Sequence, residues 1–180
     1  GETAPKTHDA VMKAMGAVLF IDETYSLNSN SMSDYGPEAV ATLMKMLEDY
    51  KGKFVCIAAG YTREMGQFLN MNSGLKSRFD ETITFEDYNA EELFQIFVSM
   101  AKKKEFMLED EALAAAKDLF ERIYASRDEN FGNARTVRKA LDRAIKNLSN
   151  RTAFEDDLSD EELMTLKAED INKIKPEDIL

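Results

Sequence analysis

The chain has 180 residues, 44% of them hydrophobic and 32% charged, enough apolar material for one domain, or for a modest domain with a smaller appendage, and too much for global disorder. Its 34 acids and 23 bases leave a formal charge of -11, which opposes non-specific binding to nucleic acid or anionic lipid but permits capture of a nucleotide by a few local donors and a metal. Cys56 is the one cysteine, so no intrachain disulfide or thiolate cluster forms, and no apolar run reaches membrane-spanning length; the expectation is a reducing, cytoplasmic setting with no membrane and no nucleic acid as partner.

In chain order, Thr7 is placed to cap a short helix that carries Val11, Met12 and Met15 and is ended by Gly16. Residues 17–21, AVLFI, are a continuous apolar run and predict a strand covered on both faces. SLNSNSMSDYGP, 26–37, reads as a polar loop. Pro37 then suits the first turn of a helix over 37–50, with Val40, Leu43, Met44 and Leu47 along one side and Gly52 closing it. FVCIAAG, 54–60, predicts a second buried strand, followed by a short helix near 62–70, the turn NSG and LKSRF. TITFEDY, 82–88, alternates as a third strand. Strand–helix–strand order makes this an α/β region with a mostly parallel sheet.

Beyond Asn89 the apolar period changes. Residues 91–104, 109–127 and 132–150 are three amphipathic helical segments, so a helical subdomain is expected over 90–180, after a core over 1–89. The acidic end keeps helical spacing through LSDEELMTLKAEDI, which predicts a short helix at 160–166 and a weakly ordered end.

The apolar strand 17–21 stops abruptly at Asp22 and Glu23. The carboxyl end of a strand is where an α/β sheet places its site, and two adjacent carboxylates repel one another. One can hold magnesium through water while the other polarises an attacking water; a solvated strand end is the plainer reading. Arg78 has the donor geometry to clamp a developing phosphate charge, from its own or a neighbouring subunit; the plainer reading is a surface arginine paired with Asp80 or Glu81. In FGNARTVRKA, Gly132 and Asn133 look like a helix start, placing Arg135 in the first turn, where a cation is electrostatically misplaced unless an external anion lies near. Arg138 shares its face. His8 has no partner at metal-ligand spacing, Cys56 reads as core packing, and Tyr25 and Tyr61 follow the two strand ends, as pocket lining or as packing.

With LFIDE, LKSRF and FGNAR in one chain and in this order, the sequence resembles an AAA+ ATPase. GETAPKT, LFIDETYSL, AAGYTREMGQFLNMNSGLKSRF and FGNARTVRKALDRA are similar to the CbbX/SpoVK branch, the group of the red-type Rubisco activase and the stage V sporulation protein K. The resemblance implies a Walker B magnesium-holding role for Asp22 and a water-activating role for Glu23. It makes Arg78 an arginine finger toward a neighbouring subunit's ATP and Arg135 a sensor 2 contact to phosphates, and it puts Tyr61 at the sensor 1 position. It further implies ATP and magnesium as cofactors, other copies of the subunit in a hexameric ring, a protein substrate to be remodelled, and a lid subdomain from about residue 90.

No GxxxxGK[ST] occurs in the 180 residues. The resemblance places that phosphate loop upstream of residue 1, with the strand between 54–60 and 82–88, and the aromatic pore loop immediately before or at residue 1. The expectations are a truncated AAA+ core, no tight nucleotide binding or hydrolysis by these residues alone, and direct pairing of 82–88 with 54–60 or with another chain. The competing expectation is a non-enzymatic interaction or scaffold domain with an AAA+-like fold.

Overall fold

The computed structural model of the chain describes residues 2–28, 35–71, 73–128 and 131–180. These fall into two compact units, Gly1–Phe85 and Glu86–Leu180. The loop expected over 26–37 lies largely outside the described residues.

The first unit runs α1 (Thr3–Lys13), β1 (Val18–Ile21), a 3-10 turn (Thr24–Asn28), α2 (Tyr35–Asp49), β2 (Val55–Ala58), α3 (Thr62–Asn70) and α4 (Ser73–Lys76). The two strands are parallel, in register from Val18 opposite Val55 to Ile21 opposite Ala58. Gly16 and Gly52 take φ of +77° and +75°, left-handed turns that release the chain after the two helices toward the strands. Helix α1 begins four residues before the expected Thr7 cap. Pro5 falls in its first turn, where the missing N–H has no intrahelical partner to lose, and Thr7 sits inside the helix.

Coverage of the sheet differs from expectation. Leu19, Ile21 and Cys56 pack beneath Val11, Leu43 and Met46. On the opposite face Val18, Phe20, Val55 and Ile57 are 54%, 60%, 56% and 45% exposed. A continuous apolar run specifies a strand with two apolar faces, but only one face meets helices of this unit.

The third strand is also corrected. Residues 82–88 are neither helix nor strand, and Ile83 and Phe85 are 74% and 91% exposed. Alternating β-branched and aromatic residues favour extended backbone, but a ladder needs a partner, and β1 and β2 pair with each other. Hydrogen exchange should therefore find the amides of 82–85 nearly unprotected in dilute solution. Strong protection there at low concentration would contradict this arrangement, whereas protection that grows with concentration would mark edge pairing between copies.

The second unit contains α5 (Ala90–Lys103), β3 (Met107–Leu108), α6 (Asp110–Ala125), α7 (Ala134–Thr152), α8 (Asp160–Leu163), β4 (Thr165–Leu166), α9 (Ala168–Asn172) and a final 3-10 turn (Pro176–Asp178). Helix α5 starts with a reciprocal cap: Glu92 N–H donates to Asn89 Oδ1 at 3.0 Å, and Asn89 N–H donates to Glu92 Oε2 at 2.8 Å. Three long amphipathic helices bury Leu93, Phe97, Leu119, Phe120, Leu141 and Leu148 against one another, with the Phe97 and Phe120 rings 5.4 Å apart. Among its described residues the one strand pairing is the short parallel match of β3 with β4.

The chain end is built into this core rather than weakly ordered. Ile171, Ile174 and Ile179 are buried in the same cluster, and Lys139 Nζ on α7 donates to the carbonyls of Ile179 and Leu180 at 3.2 and 3.3 Å. The helix expected at 160–166 stops at Leu163, because Thr165 and Leu166 turn extended to pair with β3.

Candidate functional site

At the carboxyl tip of β1 the backbone makes an abrupt turn. Glu23 has φ of +47°, a left-handed conformation that a glutamate rarely adopts. Four hydrogen bonds hold it. Thr24, fully buried, donates its hydroxyl to Ile21 O at 2.9 Å and its N–H to Ala59 O at 3.0 Å. Ser26 N–H donates to Glu23 O at 2.7 Å, and Glu23 N–H donates to Asp22 Oδ1 at 2.9 Å. Thr24 thus ties the loop to both strand tips while Asp22 and Glu23 stay exposed.

The parallel register brings the tip of β2 beside this loop, because Ala59 N–H donates to Ile21 O at 2.8 Å. Gly60 and Tyr61 follow. Tyr61 precedes the first turn of α3, is 58% exposed, and its ring lies 6.2 Å from that of Tyr25 at a 36° tilt. The Tyr25 ring rests on Gly60: a Cβ there would stand 2.7 Å from Tyr25 Cδ1 and 2.9 Å from the Met65 sulfur. The Tyr25 phenol is raised above the ordinary tyrosine value, first by desolvation, then by the charge of Glu23, with Tyr61, Glu64 and Asp22 adding to it. Asp22, Glu23, Tyr25 and Tyr61 therefore form one constellation at the strand tips.

Arg78 is engaged with its own unit. Its Nε donates to Met44 O at 3.0 Å, its Nη1 donates to Gly74 O at 3.0 Å, and its Nη2 lies 3.3 Å from Glu48 Oε2. The pairing with Asp80 or Glu81 suggested by sequence proximity is replaced by one with Glu48, on α2. The guanidinium, with its side chain 25% exposed, borders an open depression of about 410 Å³ that Lys45 and Asp49 also line.

Arg135 belongs to the second unit. It is exposed in the first turn of α7, its N–H donating to Gly132 O at 2.8 Å. Asn133 sets that helix start: at φ +48° its side chain accepts the Tyr88 N–H at 2.9 Å and donates to Asp87 Oδ1 at 2.7 Å. Among the described residues neither Arg135 nor Arg138 forms an ion pair.

Sequence reasoning missed Thr24, Gly60 as a ring seat, and Glu48. A glycine directly after a buried strand was the one available signal; nothing local marks a threonine as buried or a glutamate as partner to an arginine thirty residues away.

Cys56, on the covered face of β2, is half-buried, and burial pushes its thiol up to about 11 from an ordinary 9.0. Alkylation by iodoacetamide at pH 8 should run on the order of 10²-fold slower in the folded chain than in urea, and accelerate as pH rises. Equal rates in both states would place Cys56 on an open surface.

Both units have counterparts in known protein families. Residues 1–87 match the ATPase family associated with various cellular activities (AAA), and residues 89–179 match the AAA lid domain. The chain belongs to the AAA ATPase family and comprises AAA core and lid sequence.

It is similar to the stage V sporulation protein K of Bacillus subtilis (strain 168), 39% identical over 173 residues that cover 96% of this chain and 54% of that protein. Protein CbbX of Cereibacter sphaeroides is 40% identical over 177 residues, 95% of this chain and 56% of the relative. A CfxQ homolog of Galdieria sulphuraria is 39% identical over 181 residues, 96% and 57%. The chain spans about half the length of the curated relatives it matches. No helix of the described residues is long and apolar enough to cross a membrane.

Proposed function

We propose that this chain supplies the Walker B, arginine-finger and lid elements of a cytoplasmic AAA+ ATPase that remodels a protein substrate in a ring of like subunits. The observation that carries the reading is the carboxylate pair Asp22–Glu23, held outward at the tip of β1 beside Tyr61 at the tip of the parallel β2. Family membership supports it, and so does the similarity to the stage V sporulation protein K and to protein CbbX.

The residues present fit a magnesium nucleotide in part. Among the described residues no three His, Cys, Asp or Glu side chains converge as a metal cage. That suits magnesium, which keeps several waters and takes one or two carboxylates together with phosphate oxygens. Asp22 would hold the ion through water, and magnesium when bound neutralises phosphate charge. Glu23, on its fixed backbone, orients and deprotonates the attacking water. Tyr61 offers a hydroxyl at the sensor 1 position. Arg78 would meet a neighbouring subunit's phosphate through the Nη2 edge that now faces Glu48, and Arg135 would contact phosphate from the lid.

The amides and lysine of a GxxxxGK[ST] loop are not among these 180 residues. Residues 1–180 alone should therefore bind ATP weakly and hydrolyse none. Isothermal titration with ATP and magnesium checks this, alongside the same measurement on the full reading frame that contains the chain. Sub-micromolar binding by 1–180 would overturn the claim of a half-site. A full frame that neither binds nor hydrolyses ATP would favour an interaction or scaffold domain.

A further inference from the structure

Tyr25 is the one side chain of the constellation with no role in the scheme above. It follows Glu23 by two residues, on the loop that buried Thr24 locks to both strands. One part of the ring packs with Val40, Phe68 and Leu75. Another lies on Gly60, so closely that no larger residue at 60 would leave it in place, and its centroid is 6.2 Å from that of Tyr61. The same residue therefore belongs to the β1 tip through its backbone and abuts the β2 tip through its ring.

We propose that Tyr25 is a positioning residue of the hydrolytic site, a ring wedged between the two strand tips that sets Tyr61 relative to Glu23. This rests on the reading of Glu23 as the water-activating carboxylate. Hydrogen bonds hold the two backbones together as far as Thr24 and Ala59 but do not orient the Tyr61 side chain, which is more than half exposed. The Tyr25 ring is the neighbour that limits where the Tyr61 ring can go. The raised Tyr25 phenol agrees with the geometry, since after desolvation the Glu23 carboxylate is the strongest influence on it, followed by Tyr61, Glu64 and Asp22. A ring that only filled space among Val40, Phe68 and Leu75 would be replaceable by leucine.

The test begins on residues 1–180 without nucleotide. The chain has six tyrosines and no tryptophan, so its near-ultraviolet circular dichroism is dominated by tyrosine. Tyr25→Phe and Tyr61→Phe should each remove one coupled contribution, so that the double variant changes the band by less than the sum of the two single changes. Additive changes would overturn the pairing. In the full reading frame, Tyr25→Leu should lower kcat on the order of 10²-fold while KM for ATP and the unfolding temperature hold. Tyr25→Phe, which restores the ring, should recover most of that loss.

Gly60→Ala, which displaces the ring but leaves Tyr25 present, should reproduce the kcat loss and add little to it in the Tyr25→Leu background. It serves as the readout if Tyr25→Leu lowers stability. Parental turnover in both Tyr25→Leu and Gly60→Ala would overturn the proposal. If the unsubstituted full frame shows no turnover, the ATPase reading falls on its own, and the dichroism still decides whether the two rings are coupled.

Discussion

Glu23→Gln, made in the full reading frame, should leave ATP bound and lower hydrolysis on the order of 10²- to 10⁴-fold, the range that a positioned general base contributes. The substitution keeps the shape of the side chain and removes its basicity. It does not disturb Asp22, whose Oδ1 accepts the Glu23 N–H and would still do so. Nor does it disturb the left-handed backbone at Glu23, because the bonds that hold the turn come from the main chain, Thr24 and the Asp22 carboxylate, none from the Glu23 side chain. Loss of turnover with retained binding therefore reports on the carboxylate itself. Steady-state hydrolysis and equilibrium binding of ATP, measured on the same preparation, separate the two. Equal turnover in variant and parent would assign Glu23 to a solvated strand end. Loss of binding along with turnover would show that Glu23 helps to hold the nucleotide.

How far the sequence led depends on whether the deciding contact was local. The change from Ile21 to Asp22 marks the end of β1, and Gly132-Asn133 marks the start of α7; both are visible in a few consecutive residues, and the structure has those elements there. Arg78 shows the limit. Its neighbours Asp80 and Glu81 were plausible partners by proximity, yet α2 brings Glu48 and the Met44 carbonyl to it. The residues after 160 were illegible for another reason. The helical spacing of Leu163, Leu166, Ile171 and Ile174 is misleading, because the chain passes from helix to strand to helix to 3-10 turn within twenty residues. The acids among them suggested solvent, and composition gave no sign that Asp170 is fully buried. At 82–88 the alternating pattern suggested a strand, but a strand also requires a neighbour, which a one-dimensional pattern does not contain.

That buried aspartate should dominate the stability of the second unit. Asp170 is 0% exposed, and the Arg151 side chain is 10% exposed. The pair is bidentate, with Arg151 Nη2 donating to Asp170 Oδ2 at 2.9 Å and Nε donating to Oδ1 at 3.1 Å. Lys167 N–H also donates to Oδ2 at 2.9 Å, and a third Arg151 bond, again from Nη2, reaches Thr165 O at 3.3 Å. Arg151 lies in the last turn of α7, so these bonds tie the long helix to β4 and α9. The Asp170 hydrogen bond raises the Arg151 pKa further above its already high value, so the guanidinium keeps its charge.

Removing Arg151 leaves Asp170 buried without its counter-charge. Arg151→Met should therefore cost about 3–5 kcal/mol, read as a lower urea midpoint for the helical signal. Hydrogen exchange should show α9 losing protection before α6 does. Replacing both partners, as Arg151→Met with Asp170→Leu, should restore much of the loss, because the penalty lies in the unpaired charge and the cavity can take apolar side chains. Lys167 then loses an acceptor for its N–H, so the recovery should stop short of the parent. A single-variant loss below about 1 kcal/mol is the value of a solvent-exposed pair and would mean that the chain end opens readily enough to hydrate Asp170. In that case the buried isoleucines 171, 174 and 179, rather than the ion pair, would be what holds the end of the chain in the core.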